Sequence, residues 1–335
     1  MIPRQEIRQK AERLVAEGKL AQAAQAFLEI GLAERALGLV ERLLDDEPLR
    51  PDLLLLLGRI HTERGEHEQA AAALRKVCQC DERSAGAHLE LAQALTRLGD
   101  LDTAFYHLGE SLHLDPTRVD AYATVAQLLW ELGKPRACLE FLTRSVKSLP
   151  IPELYSLLAR AATVAQKRDA AHTAIGWLRE HTPESVHRSL ELGSLHLALG
   201  ELEQAAQEYR QAELLDPASP KPAHALATLF VEQSEREPAE AAFRRALARD
   251  ASYWPSLNDL GLLLLADGRA AEAIPLLRRA VTLQPQEPAS HLNLALALLA
   301  AGARAAAQHH ARAALSLATD ADLATQAADL VRQLS

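Results

Sequence analysis

Aromatic residues and long apolar runs are both scarce in this sequence. Phe, Trp and Tyr make up 4% of the 335 residues, although hydrophobic residues as a whole make up 48%. Alanine and leucine must therefore supply most of the packing, which is typical of closely packed helices rather than strands. No run of roughly 18 apolar residues occurs, and the amino terminus carries charges where a signal peptide has its apolar segment. We expect neither direct membrane insertion nor secretion.

The chain also lacks an excess of positive charge. Its formal net charge is -9. A general nucleic-acid binder needs a cationic surface, so we expect no nucleic-acid partner. The three cysteines, Cys78, Cys80 and Cys138, are an odd number and do not suggest a disulfide framework. A reducing, cytoplasmic location is the simplest expectation.

Motifs of catalysis and cofactor binding are absent. The sequence has no P-loop, no GxGxxG after a strand, no HExxH and no GxSxG. Cys78 and Cys80 with His61 nearby suggest a metal site at first sight, but two thiols at i and i+2 do not face each other on a helix and no second Cys pair follows. The sequence therefore predicts no enzyme activity, no cofactor and no metal.

What the chain does contain is a small residue that returns every 34 residues, with one step of 33. This ladder comprises Ala36, Ala70, Ala104, Cys138, Ala171, Ala205, Ala239, Ala273 and Ala307. A second ladder in the same phase holds only Gly or Ala, at Ala24, Gly58, Ala92, Ala126, Ala159, Gly193, Ala227, Gly261 and Ala295. A fixed period of this length indicates stacked structural repeats.

Nine units tile the chain over residues 17–320, with starts near 17, 51, 85, 119, 152, 186, 220, 254 and 288. Counting from each start, position 15 is mostly Gly, which predicts a turn between a helix A and a helix B. Proline near position 32 should end helix B. Segments 1–16 and 321–335 are expected to be capping helices at the two ends, because an end repeat has no neighbour to cover one face.

The phase of the first unit is open to one alternative. Gly18, Ala23 and Phe27 also fit the pattern in a shifted phase, which would move the first boundary by one helix. Within each unit we expect the small residues of positions 8 and 20 to face each other, so that two helix axes approach closely while larger residues fill the layer.

The pattern resembles the tetratricopeptide repeat, a 34-residue unit with a W-x2-L-G-x2-Y run followed by Ala, an aromatic residue and Pro. The best matching residues are Leu192, Gly193, Gly200, Ala205, Tyr209, Ala212 and Pro217, and again Leu260, Gly261, Gly268, Ala273, Ala280 and Pro285. Departures are the missing Trp at position 4 and the aliphatic residues at position 11. The resemblance implies an all-α fold, a right-handed alpha-alpha superhelix (a tetratricopeptide solenoid) with capping helices.

In this family the A helices line a concave groove, and the resemblance implies that positions 2, 5, 9 and 12 face this groove here. The groove residues expected to contact a partner are Arg59, Gln93, Gln127, Trp130, Arg160, Leu262 and Leu265. The groove is polar in its first five repeats and apolar near its end, which suggests two binding zones. The competing interpretation is that the closing helix covers the apolar end.

The outer side of the B helices carries a second set of candidates. Trp177 occupies position 26, where its counterparts are polar or small, and arginine occupies position 25 as Arg210, Arg244 and Arg278. A partner could bind there. Alternatively, a local rotation buries Trp177, and the arginines complement helix dipoles and keep the surface soluble.

The resemblance implies a non-enzymatic scaffold or adaptor that binds protein or peptide partners in the groove and on the outer face to assemble a multi-protein complex. Two alternatives remain: a peptide-responsive regulatory protein, and a targeting subunit of an enzyme supplied in trans. The dicarboxylate clamp of chaperone-binding members needs groove lysines and asparagines. Only Asn258 and Asn293 occur in the chain, so a chaperone-tail receptor is disfavoured. Nothing in the sequence indicates an oligomeric state.

Overall fold

The computed structural model describes residues 4–334, and the regular structure in that range is entirely helical. The chain divides into two compact units between Ala174 and Ile175. The first unit contains α1 (Arg4–Ala16), α2 (Leu20–Glu29), α3 (Ala33–Asp46), α4 (Pro51–Glu63), α5 (His67–Cys80), α6 (Ala85–Leu98), α7 (Leu101–Leu114), α8 (Val119–Glu131), α9 (Pro135–Ser148) and α10 (Pro152–Val164). The division falls inside α11 (Arg168–His181).

The second unit contains α12 (Val186–Ala198), α13 (Leu202–Leu215), α14 (Pro220–Glu232), α15 (Arg236–Arg249), α16 (Trp254–Ala266), α17 (Ala270–Leu283), α18 (Pro288–Ala300), α19 (Arg304–Leu317) and α20 (Ala321–Leu334). Each unit is a stack of antiparallel helix pairs, in which A helices and B helices alternate along the chain. The all-α solenoid architecture expected from the repeat pattern is confirmed.

The turns between the A and B helices all use the left-handed backbone region. Glycines at position 15 have φ between 66 and 79°, as in Gly133 and Gly99. The two exceptions to glycine, Gln166 and Ser234, adopt the same conformation with φ of 56 and 60°. Glycine reaches this region without a Cβ penalty, which explains its recurrence at this position.

Prolines mark the boundary between one repeat and the next. Helix α7 ends at Leu114, two residues before Pro116, and α13 ends at Leu215, two residues before Pro217. Proline also opens several A helices, where its missing N–H has no intrahelical partner to lose, as at Pro220. These prolines punctuate the chain without interrupting a helix.

Both small-residue ladders are buried in the two stacks, but the packing differs from the expectation in one respect. A Cβ placed on Gly261 would lie 2.5 Å from Cγ of Leu277, and one on Gly58 would lie 2.7 Å from Cγ of Leu74. Both leucines occupy position 24. The expectation that position 8 faces the small residue of position 20 was therefore incomplete, because the space above the glycine holds the large side chain of position 24.

The terminal helices cover the ends of the two stacks. In α20, Leu330 and Leu334 belong to the same core as the residues of α18 and α19, and the Leu323 and Val331 side chains pack against it. At the other end, Ala11 of α1 joins the core built by α2, α3 and α4. Helix α2 has only 10 residues and is preceded by Gly18 with φ of 75°, so α2 follows a turn of the same kind as those between A and B helices.

Candidate interaction surfaces

Polar side chains line the A-helix face of the first unit. Arg59 is exposed on α4, and its guanidinium donates to the Glu90 carboxylate of α6 at 2.6 and 2.9 Å. The hydrogen bond that Arg59 donates to this carboxylate is the main cause of the raised pKa of Arg59. Arg59 therefore links the A helices of consecutive repeats, and a partner anion would have to compete with Glu90 for it.

The two predicted groove glutamines lie side by side in the same unit. Gln93 and Gln127 line a shallow pocket of about 320 Å³ between α6 and α8. The amide of Gln93 donates to the Thr124 hydroxyl at 3.4 Å, and that of Gln127 donates to the Glu131 carboxylate at 2.8 Å. The pocket offers amide and carboxylate groups, which suit hydrogen bonds to a polypeptide backbone.

The two other predicted residues of this unit lie farther along the stack. Trp130 stands in the last turn of α8 and is half-buried, and Arg160 is exposed on α10. The indole is therefore partly packed and partly available.

An exposed row of aliphatic side chains distinguishes the second unit. Val231, Leu262 and Leu296 are 43, 44 and 37% exposed on α14, α16 and α18. Leu265 and Leu299, one helical turn on, are half-buried against the core. We call these five residues the apolar row. The interpretation that the closing helix covers this end is wrong for Leu262 and Leu296, because α20 leaves both side chains exposed.

A pocket of about 330 Å³ opens beside the apolar row, between α14, α15 and α16. Its walls are largely apolar and comprise Thr228, Val231, Phe243, Leu262, Leu263 and Ala266. Arg236 and Asp259 stand at its edge, and Arg236 is ion-paired with Asp267. An apolar floor with a few charged groups at the rim is the usual anatomy of a site for a bulky apolar side chain.

A Ser, His and Asp set lies next to this pocket, which sequence reasoning missed. Nδ1 of His224 is 3.1 Å from the Ser256 hydroxyl, and its Nε2 is 3.7 Å from the Asp259 carboxylate. Burial lowers the pKa of His224, while the Asp259 charge opposes that shift. Ser256 is 0% exposed, so its hydroxyl is closed to any substrate and the set does not make a nucleophile.

The only two asparagines of the chain also meet here. The Asn293 amide on α18 donates to the Asn258 amide oxygen on α16 at 3.1 Å. Their positions in the repeat, 5 and 6, were a signal that could have indicated the pairing. With Asp259 they form a polar strip along one side of the apolar row.

On the outer side, Trp177 is half-buried and stacks on His181 one turn further along α11. The ring centroids are 4.5 Å apart at an interplanar angle of 5°, and Nδ1 of His181 is 3.0 Å from the Trp177 carbonyl oxygen. The structure therefore places this indole in a local stack.

The predicted arginines of the outer face differ in their surroundings. Arg210, Arg244 and Arg278 are all exposed. Arg244 is ion-paired with Glu240 at 2.6 Å and with Glu272 of the next B helix at 3.9 Å. Within residues 4–334, Arg210 and Arg278 make no ion pair. The dipole interpretation fails for both, because the last turns of α13 and α17 contain no basic residue.

Two further histidines lie next to acidic residues. His196 is buried, with Nδ1 2.7 Å from the Glu201 carboxylate, and His61 has the same contact with Glu66 at 2.6 Å. Cys78 is half-buried, and burial raises the pKa of its thiol to about 11, which makes it a poor metal ligand. No group of three or more His, Cys, Asp or Glu suited to a metal occurs in the described part of the chain.

Two histidine pairs were not foreseen. Nδ1 of His88 lies 2.9 Å from Nδ1 of His107, and Nδ1 of His291 lies 3.1 Å from Nδ1 of His310. Both pairs join position 4 of helix A to position 23 of helix B within one repeat. His310 is half-buried.

Comparisons with known proteins agree with this geometry. The family model described as tetratricopeptide repeat matches residues 156–221 and 224–288, and the model of anaphase-promoting complex, cyclosome, subunit 3 matches residues 29–111. Together these segments cover more than half of the chain. A search among curated proteins finds no match. None of the described helices is long and apolar enough to cross a membrane.

Among solved structures, yeast Tom70 is similar with a TM-score of 0.67 and 16% identity, over 99% of this chain and 82% of that one. A tetratricopeptide repeat protein from Parabacteroides merdae is similar with a TM-score of 0.52 and 16% identity, over 75% of this chain and 99% of that one. These likenesses concern the fold. With the family matches and the repeat geometry, they lead to one conclusion: the chain belongs to the tetratricopeptide-repeat superfamily.

Proposed function

We propose that this protein is a non-enzymatic scaffold or adaptor that assembles a multi-protein complex by holding an apolar segment of a partner on the apolar row. The observation that carries the proposal is the exposure of Val231, Leu262 and Leu296 on three successive A helices. Each of these side chains could have been polar without loss to the core. A contiguous exposed aliphatic surface with a polar border is typical of a protein-binding site.

The pocket beside the row gives the partner an anchor point. An aliphatic or aromatic side chain entering between Val231 and Leu262 would be surrounded by apolar walls and reach Phe243 below them. Binding energy concentrates in such desolvated pockets, whereas the rim mostly excludes water. Asp259 and the asparagine pair can then hydrogen-bond to the partner's backbone, which would set its direction along the row.

The first unit supplies a separate, polar surface in this proposal. Trp130 offers an aromatic contact, and Gln93 and Gln127 offer amide groups. If this surface binds the same partner, the combined change Trp130→Ala and Arg160→Ala should weaken the complex by at least about 2 kcal/mol in calorimetry. Unchanged affinity would remove the first unit from the proposed interface.

The experiment that tests the apolar row starts with a partner recovered by proximity labelling in the native cell and then purified. Leu262→Gln combined with Val231→Gln should lower its affinity roughly tenfold or more, because two buried apolar contacts are lost. Leu214→Gln on α13 is the matched control, since Leu214 is 74% exposed but lies on a B helix away from the row. Equal losses in both proteins would contradict the proposal.

Two other functions are distinguishable by simple measurements. A peptide-responsive regulator would change its radius of gyration in X-ray scattering when peptide binds, whereas a rigid scaffold keeps it. A targeting subunit would co-purify with an enzyme whose activity depends on it.

A cytoplasmic location is part of the proposal, and the free thiols of Cys78, Cys80 and Cys138 are compatible with it. Cell fractionation would test that location.

A further inference from the structure

The B-helix face of the last two repeats carries an arginine patch, which we define as Arg278, Arg279 and Arg312. All three side chains are exposed, on α17 and α19. Within the described residues none of them makes an ion pair. The pKa of Asp250, at the end of α15, is lowered mainly by hydrogen bonds from Ser252 and, to a smaller extent, by the charge of Arg279. The patch is thus a concentration of nearly uncompensated positive charge on a chain of net charge -9.

In the preceding repeat, the arginine at the corresponding position is paired with carboxylates. Arg244 occupies position 25 like Arg278 and Arg312. It is held by Glu240, at position 21 of its own helix, and by Glu272, at position 19 of the next B helix. Arg269 at the start of α17 clamps the same two carboxylates at 2.7 Å. In repeat 7, therefore, the protein itself supplies the carboxylates.

The same carboxylates are missing around the patch. The residues that correspond to Glu240 are Ile274 beside Arg278 and Gln308 beside Arg312. The residue that corresponds to Glu272 in the next helix is Ala306. Arg278 and Arg312 thus occupy the same repeat position as Arg244 but lack the acidic groups that pair with Arg244. Arg278 and Arg279 are consecutive residues whose like charges repel each other, so an external carboxylate ligand would relieve this repulsion.

We propose that the arginine patch is a docking surface for a carboxylate-rich polypeptide segment of a partner, whose Glu or Asp side chains take the places that Glu240 and Glu272 hold around Arg244. The planar guanidinium suits this role because it binds a carboxylate through two parallel hydrogen bonds. The surface is distinct from the apolar row, which lies on the A helices, so a partner can use either one alone.

The test uses the full-length protein and a fluorescein-labelled oligoglutamate peptide in fluorescence anisotropy at low salt. Wild type should bind, and affinity should fall as ionic strength rises. Arg278→Gln combined with Arg312→Gln should weaken binding roughly five- to tenfold. The matched control is Arg136→Gln with Arg144→Gln, which removes two exposed arginines of α9 and should leave affinity unchanged.

Introducing glutamates beside the arginine patch provides the second test. Ala306→Glu with Gln308→Glu would give Arg278 a counterpart of Glu272 and Arg312 a counterpart of Glu240, so it should weaken oligoglutamate binding by a similar factor while circular dichroism stays unchanged. Leu262→Gln should have no effect on this peptide, which separates the inference from the proposed function of the apolar row.

Three results would overturn the inference. The first is no binding of oligoglutamate by wild type. The second is equal weakening in the patch variant and in the Arg136 and Arg144 control. The third is oligothymidylate bound as tightly as oligoglutamate, which would mark the patch as a general polyanion surface.

Discussion

Two residues carry a backbone conformation that suits glycine better than themselves. Gln166 and Ser234 have positive φ at position 15, where Gly133 and Gly200 occupy the same place in neighbouring repeats. A non-glycine residue in this backbone region destabilises the folded state by roughly 1–2 kcal/mol. Replacement by glycine recovers only part of that energy, because glycine also gives the unfolded chain more conformational freedom. The turns at Gln166 and Ser234 are therefore less stable than the glycine turns, and the cause is the backbone conformation of these two residues.

Gln166→Gly and Ser234→Gly should each raise the free energy of unfolding by about 0.5–1 kcal/mol, because the backbone strain disappears. Urea unfolding followed by circular dichroism measures the change. Gly200→Ala, with φ of 76° in the wild type, is the reverse control and should lower stability. A lower urea midpoint in either glycine variant would show that its side chain contributes more than the strain costs.

A second prediction concerns the tight contact between α12 and α13. A Cβ added at Gly193 would overlap the ring of the buried Tyr209, and burial raises the pKa of this tyrosine to about 12. Gly193→Ala should therefore cost about 1–3 kcal/mol through overpacking. Adding Tyr209→Leu should recover part of that loss, since repeat 3 already pairs Ala92 with Leu108 in this place.

The control for this prediction is Gly109→Ala in α7. Nothing lies within 4 Å of the added Cβ there, so the variant should gain about 0.5–1 kcal/mol from higher helix propensity. Equal losses at Gly193 and Gly109 in urea unfolding would mean that the contact with Tyr209 is not the cause.

At the scale of elements, the histidine pairs connect helix A to helix B within repeats 3 and 9. Two ring nitrogens about 3 Å apart can share a hydrogen bond only while one of them is an unprotonated acceptor. Protonation of both rings would therefore remove the hydrogen bond of the pair. This constraint acts across α6 and α7 in one unit and across α18 and α19 in the other.

The surroundings of each pair add to this effect. Burial lowers the pKa of His107 most, followed by His88 and Arg75, while Glu110 and Asp100 oppose the shift. Burial likewise lowers the pKa of His310, followed by the charges of His291, His309 and Arg278. In both repeats a basic side chain of the preceding B helix faces the pair.

Stability should consequently fall as the pH drops below about 6.5, the ordinary value of an unfolded histidine. The folded pKa is lowered, so the unfolded chain takes up more protons there, and the free energy of unfolding falls by at most about 1.4 kcal/mol per pH unit for each pair. Urea unfolding midpoints measured at several pH values between about 7.5 and 5 give this slope. His107→Gln with His310→Gln should flatten it, whereas His113→Gln, at an exposed position of α7, should not. An unchanged slope in the double variant would refute the assignment.

At the scale of the whole molecule, a repeat array is stabilised mainly by contacts between neighbours. Such an array opens from its ends, and terminal helices protect what lies beneath them. In the second unit this role falls to α20, through the buried Leu330 and Leu334. A defect there should spread to α18 and α19 before it reaches anything else.

Leu330→Ala should therefore destabilise the last repeat by about 2–4 kcal/mol and leave the first unit unaffected. Hydrogen exchange measured by mass spectrometry would show faster exchange in α18, α19 and α20 only. Leu315→Ala is the control, since this side chain is 38% exposed and should change little. Uniformly faster exchange along the chain would instead indicate one cooperative unit.

The parts of the fold that could be predicted are those that repeat. Glycine at position 15 and proline at position 32 act on their own backbone, so their effect is readable from sequence and agrees with the observed turns. The site was less predictable. Pairing of Arg244 with Glu272, and stacking of Trp177 on His181, depend on the rotamers of particular side chains. No periodic pattern contains that information.

The sequence by itself determined the all-α architecture, the helix punctuation and the buried ladders, because these follow from backbone preferences and from apolar residues that recur in step. Only the tertiary structure decided which exposed groups are free. It showed Arg244 neutralised and Arg278 without an ion pair among the described residues, and it left Leu262 uncovered beside a pocket. The physical reason is that charge pairing and exposure depend on which side chains of neighbouring helices come within a few ångströms, and the stack sets those distances.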